Sequence, residues 1–201
     1  MTDWVLAAER AYVAAAVGGS PPLPEADRPA SGAPSDRAAR AVAAAGAVAS
    51  RYLAVGTPRS LGIVIDALAE VETAGLSLTA HRTWFAPRDV RCAATATGAA
   101  ELAAATGGRV VSIDEALACD IVNVYSTQLR ITPAQLRRGT HVNVVSADVL
   151  DPELLALATV VHEAGLPALA AGLVDGRQLD ELTVFAIDGA PIVRAADPDR
   201  H

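Results

Sequence analysis

Leu61-Gly62-Ile63-Val64-Ile65-Asp66-Ala67-Leu68-Ala69 is the stretch on which the reading of the chain turns. Its first five residues form a short apolar run rich in β-branched side chains, the pattern of a parallel strand buried on both faces. Similar runs recur at Arg109-Val110-Val111-Ser112, Ile121-Val122-Asn123-Val124-Tyr125, His141-Val142-Asn143-Val144-Val145, Thr159–His162 and Thr183–Ile187. Residues 78–85, Leu78 to Phe85, read as the second strand of the series. Between these runs lie helical segments: 66–75 ending at Gly75, 98–107 closed by Gly107-Gly108, 114–118, a turn at 133–138, 152–157 and 166–173. Strands alternating with helices define an α/β fold, a Rossmann-like parallel sheet flanked by helices.

Upstream of this rhythm the N-terminal region is reduced and helical. Residues 3–17 read as a helix stopped by Gly18-Gly19, and 18–36 form a loop rich in Pro, Gly and Ser. Asp36 then caps an alanine-rich helix over 37–54. The expected organisation is therefore an oligomerisation region at 1–58, a Rossmann-like domain at 59–165, and a segment at 166–201 that packs back on the N-terminal region.

Composition removes several chemistries. All 16 basic residues of the 201 are arginine, so no lysine is present for a Schiff base, a Walker A phosphate contact or general base work. A net charge of −7 gives no basic face for nucleic acid. No apolar run reaches the roughly 18 residues of a membrane span, and the start Met1-Thr2-Asp3-Trp4 lacks the form of a signal peptide. The expectation is a cytoplasmic protein with neither nucleic acid nor membrane as partner. Cys92 and Cys119 read as small buried hydrophobes. His81, His141 and His162 lie in segments read as strands, with no spaced carboxylate or cysteine to complete a metal site.

Several segments, in order along the chain, resemble the ornithine cyclodeaminase/mu-crystallin family. Ala8-Glu9-Arg10-Ala11-Tyr12 with Gly18 and Pro21 resembles its opening helix and loop. Arg40 through Arg51-Tyr52-Leu53-Ala54 resembles the helix leading into its Rossmann domain. Arg138-Gly139-Thr140-His141-Val142-Asn143-Val144-Val145-Ser146-Ala147-Asp148, then Leu150-Asp151-Pro152-Glu153-Leu154-Leu155 and Thr159-Val160-Val161, follow its central pattern. Asp180-Glu181-Leu182-Thr183-Val184-Phe185 with Gly189 resembles its closing strand. The resemblance implies a shortened member of that family, and through it an amine, imine or amino-acid chemistry with NAD(P).

The departures bear on that implication. The family follows its first strand with Gly-x-Gly-x-x-Ala, which lets backbone N–H groups and a helix N-terminus approach a pyrophosphate. Here side chains stand in that place, and Asp66 puts a negative charge where phosphate would lie. NAD(P) is accordingly disfavoured and no cofactor is expected. By the resemblance, Asp66, Arg88 and Ser126 fall at the cofactor positions: Arg88 at the end of the second strand toward an adenosine 2′-phosphate, and Ser126 in the loop Tyr125-Ser126-Thr127-Gln128. Arg40 or Arg37 matches the family's arginine that grips a substrate carboxylate. Asp148 matches its proton-transferring aspartate, although Ser146 replaces the glycine before it; Asp148 and Asp151 also compete as caps of the helix at Pro152. These readings describe a degenerate dinucleotide site, hence a pseudoenzyme kept as an auxiliary or binding subunit, or a protein repurposed for chemistry without a nucleotide. An active NAD(P)-dependent imine reductase, cyclodeaminase or dehydrogenase is the alternative. The expected partners are a second copy, or a homologous or pathway protein, and a small carboxylate or amino-acid-like ligand.

Overall fold

The computed structural model of the protein describes residues 3–18, 34–173 and 181–187. Seven strands form one parallel sheet: β1 (Ser60–Ile65), β2 (Asp89–Ala94), β3 (Arg109–Val110), β4 (Ile121–Val124), β5 (His141–Val144), β6 (Thr159–His162) and β7 (Thr183–Ala186), in the order β3-β2-β1-β4-β5-β7-β6. The order reverses between β1 and β4, the switch point where Rossmann-type sheets open a crevice at the C-terminal ends of their strands. The helices are α1 (Asp3–Gly18), α2 (Pro34–Leu53), α3 (Val71–His81), α4 (Ala99–Thr106), α5 (Ile113–Leu117), α6 (Pro152–Leu157) and α7 (Leu166–Ala170).

Strand period decides which helix covers which face. Val64, Val122, Val124, Val142, Val144, Val184 and Ala186 share a cluster with Ala116 and Leu117 of α5 and Leu154 of α6. Their neighbours Leu61, Ile63, Ile65 and Cys92 turn to the other face, against Ala74 and Leu78 of α3 and Leu102 of α4. On the same face Phe185 and Val161 meet Val48 and Ala49 of α2, Tyr12 of α1 and Leu166 of α7. Gly62 is required where α5 crosses β1, because a Cβ there would stand 2.0 Å from the Ala116 carbonyl oxygen.

The second strand is not at 78–85. Ala74, Ser77, Leu78 and His81 are buried at helical spacing, so α3 runs through Gly75 to His81 and the strand begins only at Asp89. A Cβ at Gly75 would meet nothing within 4 Å, so that glycine neither breaks the helix nor admits a neighbour. His81 thus belongs to a helix rather than a strand, and the helix expected at 66–75 is a single 3-10 turn at Leu68–Glu70 followed by α3. The sheet also does not end at residue 165: β7 inserts between β5 and β6 and completes the core. Within that C-terminal segment α7 packs against α1. Residues 19–33 of the loop expected at 18–36, and Asp180 and Gly189 of the closing motif, lie outside the described residues.

Candidate functional site

The C-terminal ends of β1, β2 and β4 meet at the switch point, and the Asp66 carboxylate occupies their junction. Its Oδ1 accepts hydrogen bonds from the Ser126 hydroxyl and, at 2.6 Å, from the Thr95 hydroxyl. Its Oδ2 accepts from the Thr127 backbone N–H at 2.8 Å and faces the Thr127 hydroxyl at 3.4 Å. A carboxylate has about four lone-pair positions, and four donors converge here. Burial pushes the Asp66 pKa up, but the bonds from Ser126, Thr95 and Thr127 outweigh it and hold the carboxyl below its ordinary value.

Backbone bonds fix the loops around this carboxylate. Thr95 N–H donates to the Ile65 carbonyl at 2.9 Å, Thr97 N–H to that of Asp66 at 3.3 Å, and Tyr125 N–H to that of Val64 at 2.8 Å. Gly98, with φ +100°, brings the β2–α4 turn against the β1–α3 loop; a Cβ would lie 3.2 Å from the Leu68 nitrogen. Here a glycine admits the chain's own backbone. Ser126 serves two roles, accepting from the N–H groups of Gln128 and Leu129 while donating to Asp66.

The helix start beyond β1 is also engaged. Glu70 Oε2 accepts the Ala67 N–H at 2.9 Å, and Glu72 lies in the first turn of α3. In a dinucleotide-binding Rossmann fold, free N–H groups and a helix N-terminus meet the pyrophosphate at this place. Here two of the protein's own carboxylates hold that ground, and the segment Ile65-Asp66-Ala67-Leu68-Ala69 contains no glycine.

The other sequence-derived positions separate. Asp66 and Ser126 come together, bound to each other. Arg88 goes to the opposite edge: its N–H donates to the carbonyl of Arg59, the residue before β1, so it stands where the strands begin. That corrects its placement at the end of the second strand and removes it from the crevice. Asp148 lies at the C-terminal edge after β5, two strand spacings or about 10 Å from β1. It is exposed, and its backbone N–H donates to Ser146 Oγ at 3.3 Å. The cap of α6 is Asp151, whose Oδ1 accepts from Glu153 N–H at 2.9 Å, so Asp148 has no capping role. Arg40 is exposed on α2, and no hydrogen bond or ion pair joins it to Asp66 or Asp148 among the described residues. The side chain of Arg37 lies outside the described residues.

Sequence reasoning missed Thr95, because the strand that delivers it was displaced to 78–85. It also missed a polar network beneath α2 and α3. His81 Nδ1 donates to the Ser77 carbonyl at 2.8 Å, leaving Nε2 to accept from the Ser50 hydroxyl at 3.0 Å. Asn143 Nδ2 donates to Ser50 Oγ at 2.9 Å and to Asn123 Oδ1 at 2.7 Å, and Asn123 Nδ2 donates to Ser77 Oγ at 3.0 Å. His141 Nε2 lies 3.0 Å from Asn143 Oδ1, and its Nδ1 lies 2.9 Å from Thr183 Oγ1. All of these side chains are buried, and among the described residues no buried side-chain polar atom lacks a partner. The signal was present in the sequence as Val-Asn-Val repeated in two strands, at Val122–Val124 and Val142–Val144, which pair in register as Asn123 with Asn143.

Among the described residues, no group of three His, Cys, Asp or Glu side chains is placed to hold a metal, and no helix is long and apolar enough to cross a membrane. Cys92 and Cys119 are buried and free; burial pushes both thiols up, that of Cys119 to about 11.

Sheet order defines the class: a Rossmann-type α/β fold, with the Asp66 carboxylate hydrogen-bonded at its switch point. Solved structures with the same fold include an archaeal alanine dehydrogenase dimer with bound NAD, at 22% identity and a TM-score of 0.63, covering 75% of this chain and 59% of that one. The Δ1-pyrroline-2-carboxylate reductase of Thermococcus litoralis, solved with NADH and L-proline, matches at 22% identity and a TM-score of 0.61, again over 75% and 59%. A probable ornithine cyclodeaminase of Bordetella pertussis Tohama I matches at 18% and 0.59, over 73% and 59%. The chain therefore spans about three fifths of the length of these structures. No protein-family model and no curated protein matches the sequence.

Proposed function

We propose that the protein is a shortened relative of the ornithine cyclodeaminase/mu-crystallin enzymes that does not use NAD(P) and acts as an auxiliary or binding subunit. One observation carries this reading: the Asp66 carboxylate, saturated by Ser126, Thr95 and Thr127, sits in the crevice at the switch point. A dinucleotide would have to displace four hydrogen bonds and bring phosphate charge against Asp66 and Glu70. The likeness in fold to enzymes solved with NAD and NADH supports the ancestry. The order of the sequence motifs supports it independently. Asp148, exposed at the same edge and released from capping, remains available to a small carboxylate or amino-acid-like ligand.

The test is isothermal titration of the protein with NADH and with NADPH. No heat beyond dilution is expected for either at concentrations of about 1 mM, the upper end of common substrate affinities. Micromolar binding of either nucleotide overturns the proposal and favours an active NAD(P)-dependent reductase, cyclodeaminase or dehydrogenase.

A further inference from the structure

The mismatch with a dinucleotide leaves one feature to explain: why four donors still converge on one point of the crevice. A site that had merely eroded would have no reason to keep them aimed together. Thr95 comes from the end of β2, Ser126 and Thr127 from the end of β4, and backbone bonds, apart from the Asp66 side chain, also hold both loops against β1. Thr95 N–H is tied to the Ile65 carbonyl and Tyr125 N–H to that of Val64, so the sheet's own ladder carries both loops to the crevice. Ser126 Oγ is further oriented by the N–H groups of Gln128 and Leu129. The Thr127 side is exposed, which gives a small solute a path from solvent.

We infer that Thr95, Ser126 and Thr127 form a preformed oxyanion cradle whose resident ligand is the chain's own Asp66 carboxylate. The inference rests on the reading of the crevice as closed to NAD(P), and adds that it is closed by occupancy. The ligand class is a small oxyanion, a carboxylate or a phosphate. Hydroxyl and backbone N–H donors suit either one, and among the described residues no cationic side chain binds Asp66 to enforce a higher charge. Asp66 is therefore an autoinhibitory contact, since an external oxyanion binds only when that carboxylate is withdrawn. Glu70, on the Ala67 N–H, and Glu72 keep the surroundings negative, which favours a singly charged anion over a doubly charged one.

The experiment is chemical rescue of Asp66→Gly by acetate and, separately, by inorganic phosphate. Thermal melting is read against equal ionic strengths of chloride, with the unaltered protein under the same conditions. In the variant the cradle donors lose their acceptor. Its melting temperature is expected to fall and then rise with acetate by about 2–4 °C or more, following the mass-action stabilisation of a ligand that binds only the folded state. The unaltered protein should not respond beyond the general salt effect. The double variant Asp66→Gly/Ser126→Ala should lose most of the rescue. A variant that acetate and phosphate stabilise no more than chloride, or one that stays unfolded in their presence, overturns the inference. An equal response in the unaltered protein also overturns it, since the cradle would then be open. These outcomes are separate from NADH titration of the unaltered protein, which tests the absence of nucleotide binding alone.

Discussion

Two aspartates at one edge of the sheet differ in what they touch. Asp151 caps α6 through Glu153 N–H and pairs with Arg130 at 2.8 Å, whereas the Asp148 carboxylate bonds to no described side chain. The ion pair adds little, because the Arg130 side chain is mostly exposed. The cap is the larger effect. Asp151→Ala is expected to lower the urea midpoint, as the loss of a helix cap does, while Asp148→Ala leaves it unchanged. Urea titrations of the two variants check this, and equal losses would contradict the assignment of the cap. At this scale the sequence reveals residue type and not company. Asp66 is legible as a charge in the wrong place for phosphate, and Ser126 as a loop residue near it. That the two bond to each other is not legible, because parallel register joins residues about 60 positions apart. Thr95, the other hydroxyl on the same oxygen, carries no mark of its own in the sequence.

Elements read well where burial is on both faces and poorly where a helix shares its residues with strand-formers. The runs at 61–65, 121–125 and 141–145 are strands because only sheet interiors combine that length with that branching. Residues 78–85 mislead because Thr79, Thr83, Trp84 and Phe85 favour strands, while helical burial at 74, 77, 78 and 81 governs the first half of the stretch. Thr79 is tolerated in α3 by a hydroxyl bond to the Gly75 carbonyl at 3.1 Å. The consequence for α3 is a dependence on pH. Burial holds His81 neutral, lowering its pKa from 6.5 to about 4. The unfolded chain binds that proton more readily than the folded one. Stability from this group is therefore complete above pH 6.5 and is lost as pH falls toward 4, by about 3 kcal/mol in all. Urea midpoints measured from pH 7 to pH 4.5 should fall in the unaltered protein, and His81→Gln should flatten that slope. An identical slope in the variant would count against His81 as its source.

For the whole molecule, the two edges of the sheet are treated differently, and this bears on assembly. The β3 edge is two residues long and carries Arg109 in an ion pair with Asp89, a short charged edge of the kind that resists pairing. The β6 edge follows α6, where Leu155 and Leu157 are exposed, the second at 58% of its full accessible surface and two residues before the strand. Exposed apolar side chains next to a strand that pairs on one side only among the described residues fit an interface better than a solvated surface. The parallel α/β order is legible from sequence, since alternation alone implies it. The asymmetry of the edges is not, because strand order depends on β7 inserting inside β6, which local pattern does not encode. We expect the protein to assemble, with the α6–β6 edge as the contact. Light scattering at tens of micromolar should then give a mass of about twice the 20.5 kDa of one chain or more. Leu157→Glu should return the mass to that of a single chain without loss of helical signal, because an exposed residue is not needed for the core. A monomer in the unaltered protein would remove the expectation of assembly. An unchanged oligomer in Leu157→Glu would keep the assembly and move its interface elsewhere on the surface.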